Sequence, residues 1–371
     1  MSGSIGATAG SLDSYGSGIG GTLLSDSAAI KQHLDTLLQQ ASSGMVAGSY
    51  AGLGNGAATA LNVAPQIAEQ QAWSTGINAA GAQMQVAQTA LSQISAIAST
   101  FYAGTNNLNG LNPSVVDSTA QAAQQALQQM AGLLNSTDGS LYVFAGQDSS
   151  NPPVPNPGNI LSSGFFTRIQ AAVAGLSGSG AASVMASTLA IAGSNAAGTS
   201  PFSAALSQPA AALQAALPTV ASGPGEQTAI GIPASANAFI ASTGSETTGS
   251  YMRDILGALA TIGSLSSTQV NDSGFAALVQ DVHTSLGGAI TALNQDAGAL
   301  GNTQSTLTTE QTTLGDSITA LQTQLSGVQN ANMTQTLSQL TQTQTQLQAS
   351  YQLISGLSTY SLAKFLNPLT G

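Results

Sequence analysis

The sequence predicts a mainly α protein: a long antiparallel helical coiled-coil rod formed by the N- and C-terminal segments, with a small, partly β insert between them. Three observations carry that expectation. Both ends of the chain hold apolar residues at spacings of three and four, the repeat of a coiled-coil seam. The middle loses that repeat to Pro, Gly and Ser. Charge is nearly absent, at 5% of 371 residues, where ordinary soluble domains carry about 25%. Helices at the two ends of one chain pair only if the chain doubles back, which sets the insert at the far end of the pair.

Residues 1–27 are rich in Gly and Ser and are expected to form a flexible tail. Asp26 or Ser27 suits the N-cap of the first helix of the N-terminal arm, residues 28–140. Ile30, Leu34, Leu37 and Ala41 follow on one helical face, and Gly44 is a natural stop. Gly48 to Gly56 is a glycine-rich interruption. Trp73, Ile77, Ala80, Met84, Ala87, Leu91, Ile94, Ala98 and Phe101 then alternate four and three without a miss. Gly104 to Pro113 breaks the pattern, and Val116, Ala120, Ala123, Leu127 and Met130 mark another helix that ends near Asn135 to Gly139.

Residues 141–245 form the expected insert, with Pro152, Pro153, Pro155 and Pro157 clustered at its start and a short strand over Gln227 to Ile232. Removal of residues 155–220 is expected to be tolerated if the insert projects outward.

The C-terminal arm, residues 246–371, carries Val279, Leu286, Leu293, Leu300, Leu307, Leu314, Leu321 and Val328 every seven residues. A second seam holds Ile290, Ala297, Gln304, Gln311, Ile318 and Leu325. A helix over this stretch spans about 75 Å at 1.5 Å per residue. Gly287, Gly288, Gly298 and Gly301 each weaken it by about 1 kcal/mol and would allow a kink. Leu314, Ile318, Leu321 and Leu325 are the densest apolar run, expected to face Leu91 and Ile94. The phase slips at Asn330-Ala331-Asn332, and a new stripe runs through Met333, Leu337, Leu340, Leu347, Tyr351 and Ile354.

Composition narrows the function. Lys31, Arg168, Arg253 and Lys364 are the only cations besides histidine and are scattered, so no basic patch follows a phosphate backbone. No Cys supplies a disulfide or a thiolate metal site. No apolar run reaches the roughly 20 residues of a membrane span. The first 30 residues hold neither Lys nor Arg, so a cleaved secretory signal is not expected. Small polar residues in place of charge favour close self-association, since few ions must be desolvated.

Enzymatic chemistry finds little support. Gly16-Ser17-Gly18-Ile19-Gly20-Gly21 matches the dinucleotide fingerprint in form, but no strand precedes it, and a flexible tail explains it better. His33 and His283 are the only histidines, and neither has an acidic or histidine neighbour at a ligand spacing. No Ser sits in a nucleophile elbow and no carboxylate pair stands out. No catalytic, cofactor or metal site is expected.

Several segments resemble the bacterial flagellin family, in this order along the chain. Ala41-Ser42-Ser43-Gly44 resembles the end of the family's first helix. Gln329-Asn330-Ala331-Asn332-Met333 resembles the turn before its last helix. Leu347-Gln348-Ala349-Ser350-Tyr351-Gln352 and Ser361-Leu362-Ala363-Lys364-Phe365-Leu366 resemble that last helix. Leu141-Tyr142-Val143-Phe144-Ala145-Gly146, with Pro152-Pro153 beyond it, is similar to a motif of the hook–filament junction branch (hook-associated protein 3), on which Tyr142, Phe144 and Gly146 are the matching positions. The resemblance implies a structural subunit of the extracellular flagellum. It implies type III export with the help of an export chaperone. It also implies polymerisation through terminal helices with its own copies, a hook-associated protein and flagellin. Ile30, Leu34, Leu37, Leu91, Ile94, Phe101, Leu314, Ile318, Leu321, Leu325, Leu347, Tyr351, Ile354, Leu362 and Phe365 are the expected packing and assembly residues. Filament flagellin is the near alternative. A secreted, low-charge adhesin explains the composition but leaves the terminal heptads without a role.

Overall fold

The computed structural model describes residues 10–108 and 112–359. The chain is mainly α-helical and separates into two compact units: a terminal one of residues 1–69 and 317–371, and a central one of residues 70–316. The helices are α1 (Gly10–Ser43), α2 (Ala57–Thr105), α3 (Pro113–Leu133), α4 (Gly164–Ala174), α5 (Leu176–Ser179), α6 (Ala181–Ala192), α7 (Ala210–Ala215), α8 (Tyr251–Ile262), α9 (Phe275–Gln329) and α10 (Met333–Thr359). Two short antiparallel hairpins, β1 (Thr137–Asp138) with β2 (Leu141–Tyr142) and β3 (Thr219–Gly223) with β4 (Glu226–Ala229), are the only sheets among the described residues.

In the terminal unit α1 pairs with α10. The Ser27 and Ser350 hydroxyls hydrogen-bond, and Met45 forms a β-bridge with Asn330. Partners that ascend one helix and descend the other make the pair antiparallel. The stop expected at Gly44 is present, with φ of +71° and its amide donating to Gln40 O at 2.9 Å. Val46 N donates to Gln329 O and Ala331 N donates to Gly44 O, both at 2.8 Å, so the turns that end α1 and α9 close on each other. Helix α1 reaches back to Gly10, through part of the stretch that composition assigns to a flexible tail. Residues 1–9 of that tail lie outside the described residues.

Helix α2 begins at Ala57, well before the run that starts at Trp73. Ala60, Val63 and Ile67 extend the same three–four spacing backwards and are buried. Pro65 sits inside the helix on its exposed side, where it costs one backbone hydrogen bond but no packing.

In the central unit α2 and α9 run antiparallel. Gln311 Nε2 donates to Asn78 Oδ1 at 2.5 Å, Ser95 Oγ to Asn294 Oδ1 at 3.1 Å, and the rings of Tyr102 and His283 stack at 4.0 Å. The expected stripe of α2 is the buried one: Ile77, Ala80, Met84, Ala87, Leu91, Ile94, Ala98 and Phe101 are all in the core. The α9 heptad matches it, with Val279 to Leu314 buried at every seventh residue.

The register differs from the expected one. Leu91 and Ile94 lie near the level of Asn294 and Gly301, while Leu314 lies beside the Asn78 level. Two equivalent heptads do not fix register; the polar pairs do. No break falls at the α9 glycines, since α9 is continuous over 55 residues. Gly287 has a different use: a Cβ there would lie 3.1 Å from Tyr102, so its absence admits the ring that stacks on His283.

The insert is more helical than its Pro and Gly content suggests. Phe165, Phe166, Ile169 and Val173 of α4 and Val184, Met185, Thr188 and Ala192 of α6 are buried against α8. The strand expected over Gln227 to Ile232 is offset, since β4 covers Glu226–Ala229 and Ile230 and Ile232 continue into the core as irregular chain. Every residue of α8 is buried, Arg253, Asp254 and Thr261 among them.

Candidate functional site

Two places hold the features from which function could arise: the outer face of the terminal unit and a polar hub in the central unit.

Helix α10 inverts the expected seam. Thr336, Thr343 and Ser350, seven residues apart, are buried, and Ser27 of α1 is buried with them. Small hydroxyl side chains let two helices approach closely, and Cα atoms of α1 and α10 come within 8 Å. The apolar stripe that periodicity selects is displaced to the flank of this seam. Leu340, Leu347 and Ile354 are half-buried, while Met333, Leu337 and Tyr351 are exposed. On α1, Ile30 and Leu34 are half-buried and Leu37 is buried, with Leu24 and Leu38 exposed beside them. Ile318, Leu321 and Leu325 are half-buried. Leu362 and Phe365 lie outside the described residues.

Among the described residues eleven large hydrophobic side chains are exposed, and nine of them belong to the terminal unit. The α10 side of that surface carries no charge, since none occurs from Ser317 to Ala363, while α1 brings Asp26, Lys31 and Asp35. Exposed large apolar side chains gathered on one unit are a feature of interaction sites. By contrast Leu91, Ile94, Phe101 and Leu314 lie inside the central core and are not open to a partner.

Tyr142 is half-buried at the end of β2, while Val143, Phe144 and Ala145 are buried. Gly146 adopts φ of +63°, a conformation that favours glycine. Phe144 O accepts from Ala234 N at 2.8 Å, which ties the motif to the far end of the insert.

The hub is built on α8 and was not visible as a pattern. Arg253 Nε donates to Ser235 O at 2.7 Å, Nη1 to Ala192 O and Ser194 O, and Nη2 to Asn195 Oδ1 at 2.6 Å. Its guanidinium carbon lies 5.1 Å from the centre of the Phe202 ring. Burial lowers the guanidinium pKa to about 10, which leaves it cationic at neutral pH. Asp254 accepts from Thr247 Oγ1, Thr248 N and Thr248 Oγ1, yet burial raises its carboxyl above the ordinary value. Asp296 of α9 is fully buried and accepts from Ala238 N, Phe239 N and the Tyr251 hydroxyl at 2.8–3.1 Å. Burial holds the Tyr251 phenol well above its usual pKa.

These groups are bound to backbone and hydroxyl partners that fix irregular chain, an arrangement that suits structure rather than turnover. The nearest sequence signal is Asp296 itself, three residues after Leu293 and four before Leu300, on the buried side of the heptad. A groove of about 420 Å3 beside the Gly146 turn is floored by Ala145, Ala212, Leu213 and Pro233, and Asp148 is its only titratable lining residue. His283 stacks on Tyr102 and bonds to Thr105 Oγ1 at 2.7 Å. Among the described residues no group of three or more His, Asp or Glu could hold a metal ion. No helix among them is long and apolar enough to cross a membrane.

Fold and surface together define a class: helical proteins whose two chain ends pair and whose apolar side chains outside the core gather on that pair. Within that class, residues 284–366, which take in most of α9 and all of α10, match the family model of the bacterial flagellin C-terminal helical region. The match covers less than half of the chain and likens that part to a helical region of bacterial flagellin. No curated protein matches the chain.

Proposed function

We propose that this chain is a hook–filament junction subunit of the bacterial flagellum, exported and assembled outside the cell through its terminal helices. The observation that carries a self-assembling subunit is the gathering of exposed apolar side chains on the terminal unit, over part of the segment that matches flagellin. Stacking a second copy there removes apolar surface from water at about 25 cal/mol per Å2. Contacts that do not close on themselves generate filaments.

The junction reading rests on Leu141 to Gly146 followed by Pro152-Pro153. Filament flagellin is the second reading, favoured by the family match itself. In this scheme residues 1–27 serve export and assembly, residues 28–140 and 246–371 are the helical arms, and residues 141–245 are the variable insert. A hook-associated protein, flagellin and an export chaperone are the partners, and no catalysis is involved.

Immunogold electron microscopy of isolated flagella tests the proposal. Label confined to the boundary between hook and filament is expected. Label along the filament overturns the junction reading in favour of filament flagellin. Flagella free of label overturn both.

A further inference from the structure

Helices α6, α8 and α9 meet around a small cavity of about 10 Å3, lined among others by Thr188, Asp254, Thr261 and Ser285. That is the room open to the centre of a water-sized sphere, and a single water requires about 10–15 Å3 by that measure together with two to four polar partners.

The lining supplies those partners. Thr188 and Thr261 already donate their hydroxyl protons, to Met185 O at 2.9 Å and Gly257 O at 2.8 Å, and keep oxygen lone pairs free. Asp254 accepts from Thr247 Oγ1 on Oδ2 and from Thr248 N and Oγ1 on Oδ1. A carboxylate offers about four acceptor positions, so one remains on Oδ2.

Ser285 provides the independent observation. It is 3% exposed, and its hydroxyl has no hydrogen-bond partner in the protein among the described residues. Its neighbours in α9, Thr284 and Thr291, each donate to the carbonyl four residues back. Buried hydroxyls are satisfied in the large majority of proteins, by protein or by ordered water.

We propose that this cavity binds one structural water. The water accepts the Ser285 proton, donates one of its own to Asp254 Oδ2, and gives the other to the spare lone pair of Thr188 or Thr261. Its role is mechanical. It joins α9, which enters the flagellin-like region, to α6 of the insert and to α8 through one tetrahedral node. Nothing larger than water fits, and a single carboxylate among hydroxyls is a poor donor set for a divalent cation.

A high-resolution crystal structure of the full chain tests this, with water–amide magnetisation transfer in solution as the second measurement. A single density peak within hydrogen-bonding distance of Ser285 Oγ and the Asp254 carboxylate is expected. A bound-water cross-peak to the Ser285 or Gly257 amide is expected in solution. Ser285→Val fills the room and removes both signals, while Ser285→Ala keeps them, since Asp254 and the threonines still hold the water. A dry cavity in the wild-type crystal, or no cross-peak from a folded wild-type sample, overturns the assignment whatever the variants do.

Discussion

Arg253 is buried, cationic and bound to three backbone carbonyls and one side-chain amide rather than to a carboxylate. Its planar fork reaches acceptors in several directions, which an ammonium does not. Arg253→Met strands several acceptors and is expected to cost about 3 kcal/mol or more. Arg253→Lys should recover only part of that, as thermal unfolding of the two variants will show. Asp254 is a pH-dependent element. Its folded pKa lies above the unfolded value, so the folded state binds the proton more tightly. The stability this contributes is fully present below the unfolded pKa and is lost as pH rises through the folded one. Asp254→Asn should therefore flatten the unfolding free energy against pH on the acid side, and an unchanged slope would place the pH dependence elsewhere. Ser250 is the N-cap of α8, yet its buried hydroxyl makes no hydrogen bond. Losing a working cap costs about 0.5–2 kcal/mol. Ser250→Ala is expected to be neutral or slightly stabilising instead, measured by denaturant midpoint.

At the scale of elements, the α1–α10 and α2–α9 pairs share a heptad logic but differ in what the heptad buries. The α2–α9 seam holds Ile77, Met84, Leu91, Leu293, Leu300 and Leu307, whereas the α10 seam holds Thr336, Thr343 and Ser350. Hydroxyls remove little apolar area from water, so the terminal pair is held less firmly in the isolated chain. Hydrogen exchange should show amides of α10 opening well before those of α9 between Val279 and Leu314. The exposed stripe gives a sharper test. Leu337 and Tyr351 are 49% and 53% exposed, so Leu337→Asp and Tyr351→Asp should leave monomer melting within about 1 kcal/mol of wild type while abolishing sedimentable assemblies. Leu91→Ala, inside the central core, should instead cost about 2–5 kcal/mol. Assembly that survives both surface charges would exclude this face from the contact.

At the scale of the whole molecule, the insert is part of the central core and not a detachable projection. Phe165, Phe166, Ile169, Val184, Phe202 and Leu206 join the same buried cluster as Leu127, Met130 and Leu259. Asn135 bonds to both the amide and the carbonyl of Val154, and Gln269 Nε2 donates to Val173 O. Removal of residues 155–220, which composition alone marks as tolerated, is therefore expected to abolish cooperative unfolding of the central unit, read by circular dichroism of the purified variant. The sequence by itself determined what depends on near neighbours. The heptads of α2 and α9, the break between α2 and α3, the stop at Gly44 and the turn before α10 all follow from local period, caps and breakers. The insert helices were hidden because short helices among Pro and Gly repeat too few times to show a period. The tertiary structure alone decided the register of α2 on α9, the choice of hydroxyls over leucines for the α10 seam, and the meeting of Asp296 with Ala238 and Phe239. Each of these joins segments far apart in the chain. A helical period names candidate faces, but only the packed partner selects among faces of similar apolarity.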